Sequence, residues 1–139
     1  MKALTRLAAL LLVAVLPGAV CSADPPEAAA ETAALTWLKL VDAGDYAQSW
    51  ATAAELFRNR IGRDAWVSRV SGVREPLGAV KSRELQSARF EHSLPGAPDG
   101  EYVIVQYASR FEHKAEALET VVPVKDTDGH WHVSGYFLK

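Results

Sequence analysis

"REPLGAVKSRELQSARFEHSL", residues 74–94, decides how the chain is read. Before it, apolar residues recur every three or four positions; after Gly78 they tend to alternate with polar ones. A period near 3.6 puts a stripe on one side of a helix, and a period of 2 puts a face on a strand. Pro76 and Gly78 stand at the change, and both residue types end helices. The chain therefore divides into a helical first half and a strand-forming second half.

Upstream, Ala34, Trp37, Leu38 and Val41 predict a helix over 31–41, preceded by a flexible lead-in at 24–32. Gly44 stops it, and Asp45 is positioned to cap the next. Tyr46, Trp50, Ala53, Ala54, Phe57 and Ile61 form one stripe of a second helix. Gly62 ends that helix, and Trp66, Val70 and Val73 share a face of a third. Downstream, four strands are predicted at 79–94, 101–114, 117–125 and 130–139. "PGAPDG" joins the first two, and Asp-Gly at 128–129 marks a hairpin between the last two. The order predicts an α+β domain over 33–139, with N-terminal helices packed on a curved four-stranded antiparallel sheet. A curved sheet under helices leaves a concave space suited to a small ligand.

The 139 residues suffice for one domain. The N-terminus reads separately: Lys2 and Arg6, an apolar run from Leu7 to Leu16, Pro17-Gly18, then small residues. That order is a secretory signal peptide over 1–23, cut after Ala23, which predicts a periplasmic or secreted protein. The run is shorter than the ~20 residues a membrane-spanning helix needs. A lipid anchor at Cys21 is the minor alternative, because "GAVC" lacks the large aliphatic residue and small spacer of a lipoprotein signal. Cleavage after Ala23 leaves no cysteine, hence no disulfide and no thiolate ligand. It also removes two of 15 basic residues against 17 acidic ones. An acidic chain disfavours nucleic acid and anionic lipid as partners, and no second apolar stretch suggests a transmembrane segment.

"WLKLVDAGDYAQSW" (37–50), "REPLG" (74–78), "LPGAPDGEYVIVQY" (94–107), "FEHKAEALETV" (111–121) and "DGHWHVSGY" (128–136) together resemble a bacterial family known as domain of unknown function 4019. The resemblance spans roughly Ala34 to Leu138. It implies an exported bacterial protein with the cone-shaped α+β barrel of the nuclear-transport-factor-two-like or cystatin-like kind, and it implies no activity. Asp42, Ser49, Arg74, Gly78, Arg83, Glu119 and Tyr136 are among the positions that carry it; His130 and His132 are not.

Eight residues are candidates to line the concave space: Trp37, Tyr46, Trp50, Trp66, Arg74, Arg83, Glu119 and Tyr136. The tryptophans lie on helical stripes, where aromatic residues usually fill the core. Arg74 and Arg83 are either solvated charges or an anion-binding pair, since the guanidinium fork suits carboxylate and phosphate. Glu119 shares a face with Tyr136 and is placed to accept its hydroxyl, as a structural bond or as a masked acid. His130 and His132 point the same way along a strand, as a metal pair would. Two registers are open for their hairpin. A four-residue loop sets Lys125 opposite His130 and Pro123 opposite His132; a two-residue loop sets Thr127 and Lys125 there. Neither offers an opposing carboxylate, and Trp131, Val133 and Phe137 would face the core with Val122 and Val124. The histidines then lie outside, and no metal or other cofactor is predicted.

There is no phosphate loop, dinucleotide fingerprint, zinc-protease helix or catalytic triad. The leading expectation is a non-enzymatic module for a small molecule or an envelope protein. The alternative is a pocket enzyme of isomerase or hydrolase type whose acid, Glu119 or Asp42, has a raised pKa. A homodimer through the sheet, with Val121, Tyr136 and Leu138 on its outer face, is a third.

Overall fold

The structure, a computed structural model, describes residues 24–139; the leader, its cut after Ala23 and Cys21 lie outside the described residues. Four helices come first: α1 (Pro26–Asp42), α2 (Tyr46–Ala51), α3 (Glu55–Arg60) and α4 (Arg63–Arg74). A 3₁₀ turn, Glu75–Leu77, leads to β1 (Val80–Glu91), β2 (Tyr102–Phe111), β3 (Lys114–Lys125) and β4 (Trp131–Leu138). The strands form one antiparallel sheet in the order β1-β2-β3-β4. The fold class is α+β, as the change of period requires. The sheet is open, with β1 and β4 as its edges.

α1 lies across all four strands. Its stripe of Ala30, Ala34, Trp37, Leu38 and Val41 packs into one core with Val103, Val105, Tyr107, Val121 and Val133. Val122, Val124 and Tyr102 gather on the opposite face of the sheet with Ala54. Among the described residues no helix is long and apolar enough to cross a membrane.

Four expectations need correction. The lead-in at 24–32 is helical from Pro26, because Pro26 starts α1 and Ala30 is already buried in the core. The single second helix is two. It breaks at Ala54, whose N–H donates to Val133 O of β4 at 2.8 Å, an interaction that a continuous helix would forbid. In β4 the pairing slips between Val122↔Gly135 and Pro123↔Val133, leaving Ser134 as an extra residue. Its hydroxyl bonds Val122 O. This bulge reverses the alternation. Tyr136 therefore turns inward with Trp131 and Val133, while Phe137 turns out and is 60% exposed. Val122 and Val124 lie on the face away from Val133. Val121 and Tyr136 are thus inside, and cannot form the outer face of a dimer.

The hairpin takes neither anticipated register. Asp126 N–H bonds His130 O, Lys125 pairs with Trp131 and Val124 with His132. The loop is Thr127–Gly129, closed by Gly129 at φ 79°, the three-residue form that ends in a left-handed residue.

The corner in the opening stretch is fixed by Gly78, at φ 72° and ψ −160°, a region essentially confined to glycine. The β2–β3 turn docks there: Glu112 N–H bonds Ala79 O, and His113 N–H bonds Leu77 O. A Cβ on Gly78 would stand 2.9 Å from Cβ of Glu112. Gly78→Ala is therefore expected to destabilise by roughly 1–3 kcal/mol from backbone strain alone, read as a lower urea midpoint with an unchanged slope.

Candidate functional site

The first and last helices each end on a charge whose partners the sheet supplies. Asp42 is the last residue of α1, and Arg74 is the last of α4. Their side chains meet, with Arg74 Nη2 donating to Asp42 Oδ1 at 2.7 Å. Arg83 of β1 grips both oxygens of Asp42, at 2.9 and 3.0 Å. Its Nε donates to Glu119 Oε1 of β3 at 2.7 Å. Ser109 of β2 and Tyr136 of β4 both donate hydroxyls to Glu119. Arg74 Nη1 donates to the Tyr136 oxygen at 3.4 Å, and its guanidinium stands 4.8 Å above the Phe111 ring. The network thus takes side chains from two helices and all four strands.

Glu119 is 0% exposed and Arg74 is 4% exposed, a burial that ionisable groups tolerate when they are paired and hydrogen-bonded. Two guanidiniums face two carboxylates, and the cluster is internally neutral. Burial pushes the Asp42 carboxyl up, but its hydrogen bonds and proximity to Arg83 and Arg74 outweigh this and hold it below the usual aspartate range. Burial disfavours the Arg83 cation, yet Asp42 and Glu119 together raise its pKa. Burial, then the charge of Glu119, pushes the Tyr136 phenol up. Asp42 is therefore displaced opposite to the direction a pocket acid requires. The two guanidiniums are engaged by internal carboxylates, so they do not present an open anion pair. Arg74 Nε and the Tyr107 hydroxyl have no hydrogen-bond partner among the described residues.

The aromatic candidates surround this cluster. The Trp37 ring meets Tyr136 edge-on at 5.4 Å and Trp66 at 6.0 Å. Both tryptophans anchor on Ser49: Trp37 Nε1 donates to its carbonyl at 2.8 Å, and Trp66 Nε1 to its hydroxyl at 3.0 Å. The Ser49 hydroxyl in turn donates to Tyr46 O, so it is fully employed as a structural link. Trp50 Nε1 donates to Ile61 O, and Trp50 and Tyr46 pack at the margin of the core. Of the eight sequence candidates, Trp37, Trp66, Arg74, Arg83, Glu119 and Tyr136 form one contiguous assembly, with Tyr46 and Trp50 at its border. Ser109 was missed. Its signal is a hydroxyl at an inward position of β2, in line with Val103, Val105 and Tyr107.

His132 Nε2 lies 2.8 Å from Asp128 Oδ2 and Nδ1 lies 3.2 Å from Thr52 O, so the carboxylate comes from the turn and not from the opposite strand. Among the described residues no three His, Cys, Asp or Glu side chains converge as metal ligands.

Two members of the assembly also reach a surface concavity. A groove of about 320 Å³ runs between α4 and β4. Trp66, Val70 and Val73 wall one side, Tyr136, Phe137 and Leu138 wall the other, and Arg69 and Lys139 stand with them. Val73 is 44% exposed, so with Phe137 the groove displays two of the large apolar side chains left open to solvent.

Residues 33–136 match the model of a family described as "Protein of unknown function (DUF4019)". The match covers most of the chain, which belongs to that family. No curated protein matches it.

Arg83→Met leaves Glu119 buried without its cation and is expected to cost about 3–5 kcal/mol of stability. Arg83→Lys should recover only part of this, because an ammonium cannot fork across two carboxylates. Adding Glu119→Leu to Arg83→Met should lessen the loss, a coupling that a double-mutant cycle measures. A second expectation concerns pH. The lowered Asp42 contributes stability that is complete above its ordinary value of 3.8 and falls as pH drops through the folded value. The raised Tyr136 and Tyr107 contribute stability that is complete below 10.0 and falls as pH rises further. Urea midpoints across pH should show both limbs, with Asp42→Asn flattening the acid one.

Proposed function

We propose that this family member is an exported, non-enzymatic binding module whose contact surface is the apolar groove between α4 and β4. The observation that carries the reading is the exposure of Val73 and Phe137 beside a concavity also lined by the core residues Trp66 and Val70 and the half-buried Tyr136. Large apolar side chains left open beside a preformed concavity are a common mark of a binding surface. The signal-peptide pattern at 1–23 supports export, and a periplasmic or secreted setting follows from it. The committed state of the two carboxylates favours a binder over a pocket enzyme. Glu119 is engaged by Arg83, Ser109 and Tyr136, and Asp42 by both arginines, so the oxygens of both are taken up by internal partners. On this reading Trp66 and Tyr136 touch the ligand. Trp37, Tyr46, Trp50, Arg74, Arg83 and Glu119 hold the walls in place.

The apolar probe anilinonaphthalene sulfonate tests the surface. Its fluorescence should rise several-fold with the wild-type protein at low micromolar concentration. Val73→Glu, a change at an exposed position, should remove most of that rise while leaving the melting temperature nearly unchanged. A wild-type signal no larger than that of the variant would overturn the proposal.

A further inference from the structure

We infer that the groove receives an extended peptide segment of another protein, which adds as a fifth strand along β4 and carries acidic side chains. This rests on the binding-module reading above and names its partner.

Open sheet edges are sites of strand addition unless something blocks them. The β1 edge is blocked. It carries Lys81, Arg83, Glu84, Arg89 and Glu91, and its pairing slips twice, at Val80/Ser82 and at Leu85/Ser87. The β4 edge is blocked only in its first half, where Ala54 N–H already occupies Val133 O. Its second half, Gly135 to Leu138, has no charge, no proline and no further slip.

The main-chain polarity of that half follows from its pairing. Lys139 and Leu118 exchange both N–H···O bonds at 3.0 Å. Hydrogen-bonded and non-bonded pairs alternate along an antiparallel ladder. Phe137 and Gly135 therefore bond toward β3, and the N–H and C=O groups of Tyr136 and Leu138 point away from it. An incoming strand can satisfy those groups. Its side chains on the helix side then enter the groove against Val70 and Val73, and those on the other side meet Phe137.

Charge selects the occupant. The charged side chains lining the groove are Arg69 and Lys139, both exposed and both cationic, on a chain whose acidic residues outnumber its basic ones. A second copy pairing β4 with β4 would bring like-charged rims together. A segment that alternates apolar and acidic residues complements both the apolar walls and the rim.

The test uses the described chain, residues 24–139, and a fluorescently labelled, capped peptide of sequence Val-Asp-Val-Thr-Val-Asp-Val, with two controls: lysine in place of each aspartate, and proline in place of the central threonine. The acidic peptide should bind, and binding should slow hydrogen exchange at the Tyr136 and Leu138 amides. Both controls should bind more weakly. Arg69→Glu should weaken the acidic peptide, by up to about fivefold for the loss of one exposed ion pair, and narrow its advantage over the lysine peptide. Equal binding of the acidic and lysine peptides, or no added protection at Tyr136 and Leu138, overturns the inference. So does a wild-type dimer whose own contact already protects those amides. If anilinonaphthalene sulfonate still binds and Val73→Glu abolishes it, such a result sinks the peptide and leaves the binding module standing; if the probe fails as well, both fall.

Discussion

A carboxylate placed at the centre of an apolar sheet face can stay charged only beside a cation, and Glu119 has Arg83 for that purpose. Much of the arrangement follows from this pairing. Arg83 spans from Glu119 to Asp42, which sets the end of α1 over β1. Asp42 draws in Arg74 and with it the end of α4. Ser109 and Tyr136 complete the coordination of Glu119 from β2 and β4. Buried ion pairs are poor sources of net stability, because desolvating the charges cancels most of their attraction. Their value here is selective. A one-residue slip of β3 would carry Glu119 to the other face of the sheet and leave Arg83 beside Leu118 or Thr120. The network rejects wrong registers more than it strengthens the right one.

This division of labour closes the polar centre on itself and leaves a groove at the margin. The polar side chains at the centre satisfy one another, and the tryptophans around them hold their N–H groups on Ser49 and Ile61. Some apolar material is left outside the core, and Val73 and Phe137 emerge between α4 and β4. The bulge at Ser134 decides which residues appear there. By turning Tyr136 inward it gives the network its phenol, and by the same step it turns Phe137 out into solvent.

The change of period at Gly78 made the α+β division legible, and the helical stripes named most of the residues that now form the core. What was not legible depended on backbone partners far along the chain. The stripe of the second helix runs through Ala53 and Ala54 without interruption, yet the helix stops there because Ala54 finds Val133 O. No glycine or proline announces that stop. The reversal of faces in β4 was hidden for a similar reason: a bulge at Ser134 is a property of the pair β3–β4 and not of either strand alone. The site was half visible. Arg74, Arg83, Glu119 and Tyr136 were singled out, but the arginines looked available for an anion, since Asp42 lies 32 residues from Arg74 and 41 from Arg83. Ser109 could have been noticed as a polar residue in an apolar register; Asp42 was noticed, but without its partners.

The wide separation of those partners bears on how the chain must be assembled in time. A ribosome delivers Asp42, Arg74 and Arg83 long before Glu119 and Tyr136. Until β3 arrives, two arginines compete for one carboxylate, and the apolar stripe of α1 has no Val121 or Val133 to cover it. The helical layer therefore cannot be finished first and the sheet added afterwards. Non-local contacts of this kind delay closure until most of the chain is present, and they make the final strands the step that commits the molecule to its fold.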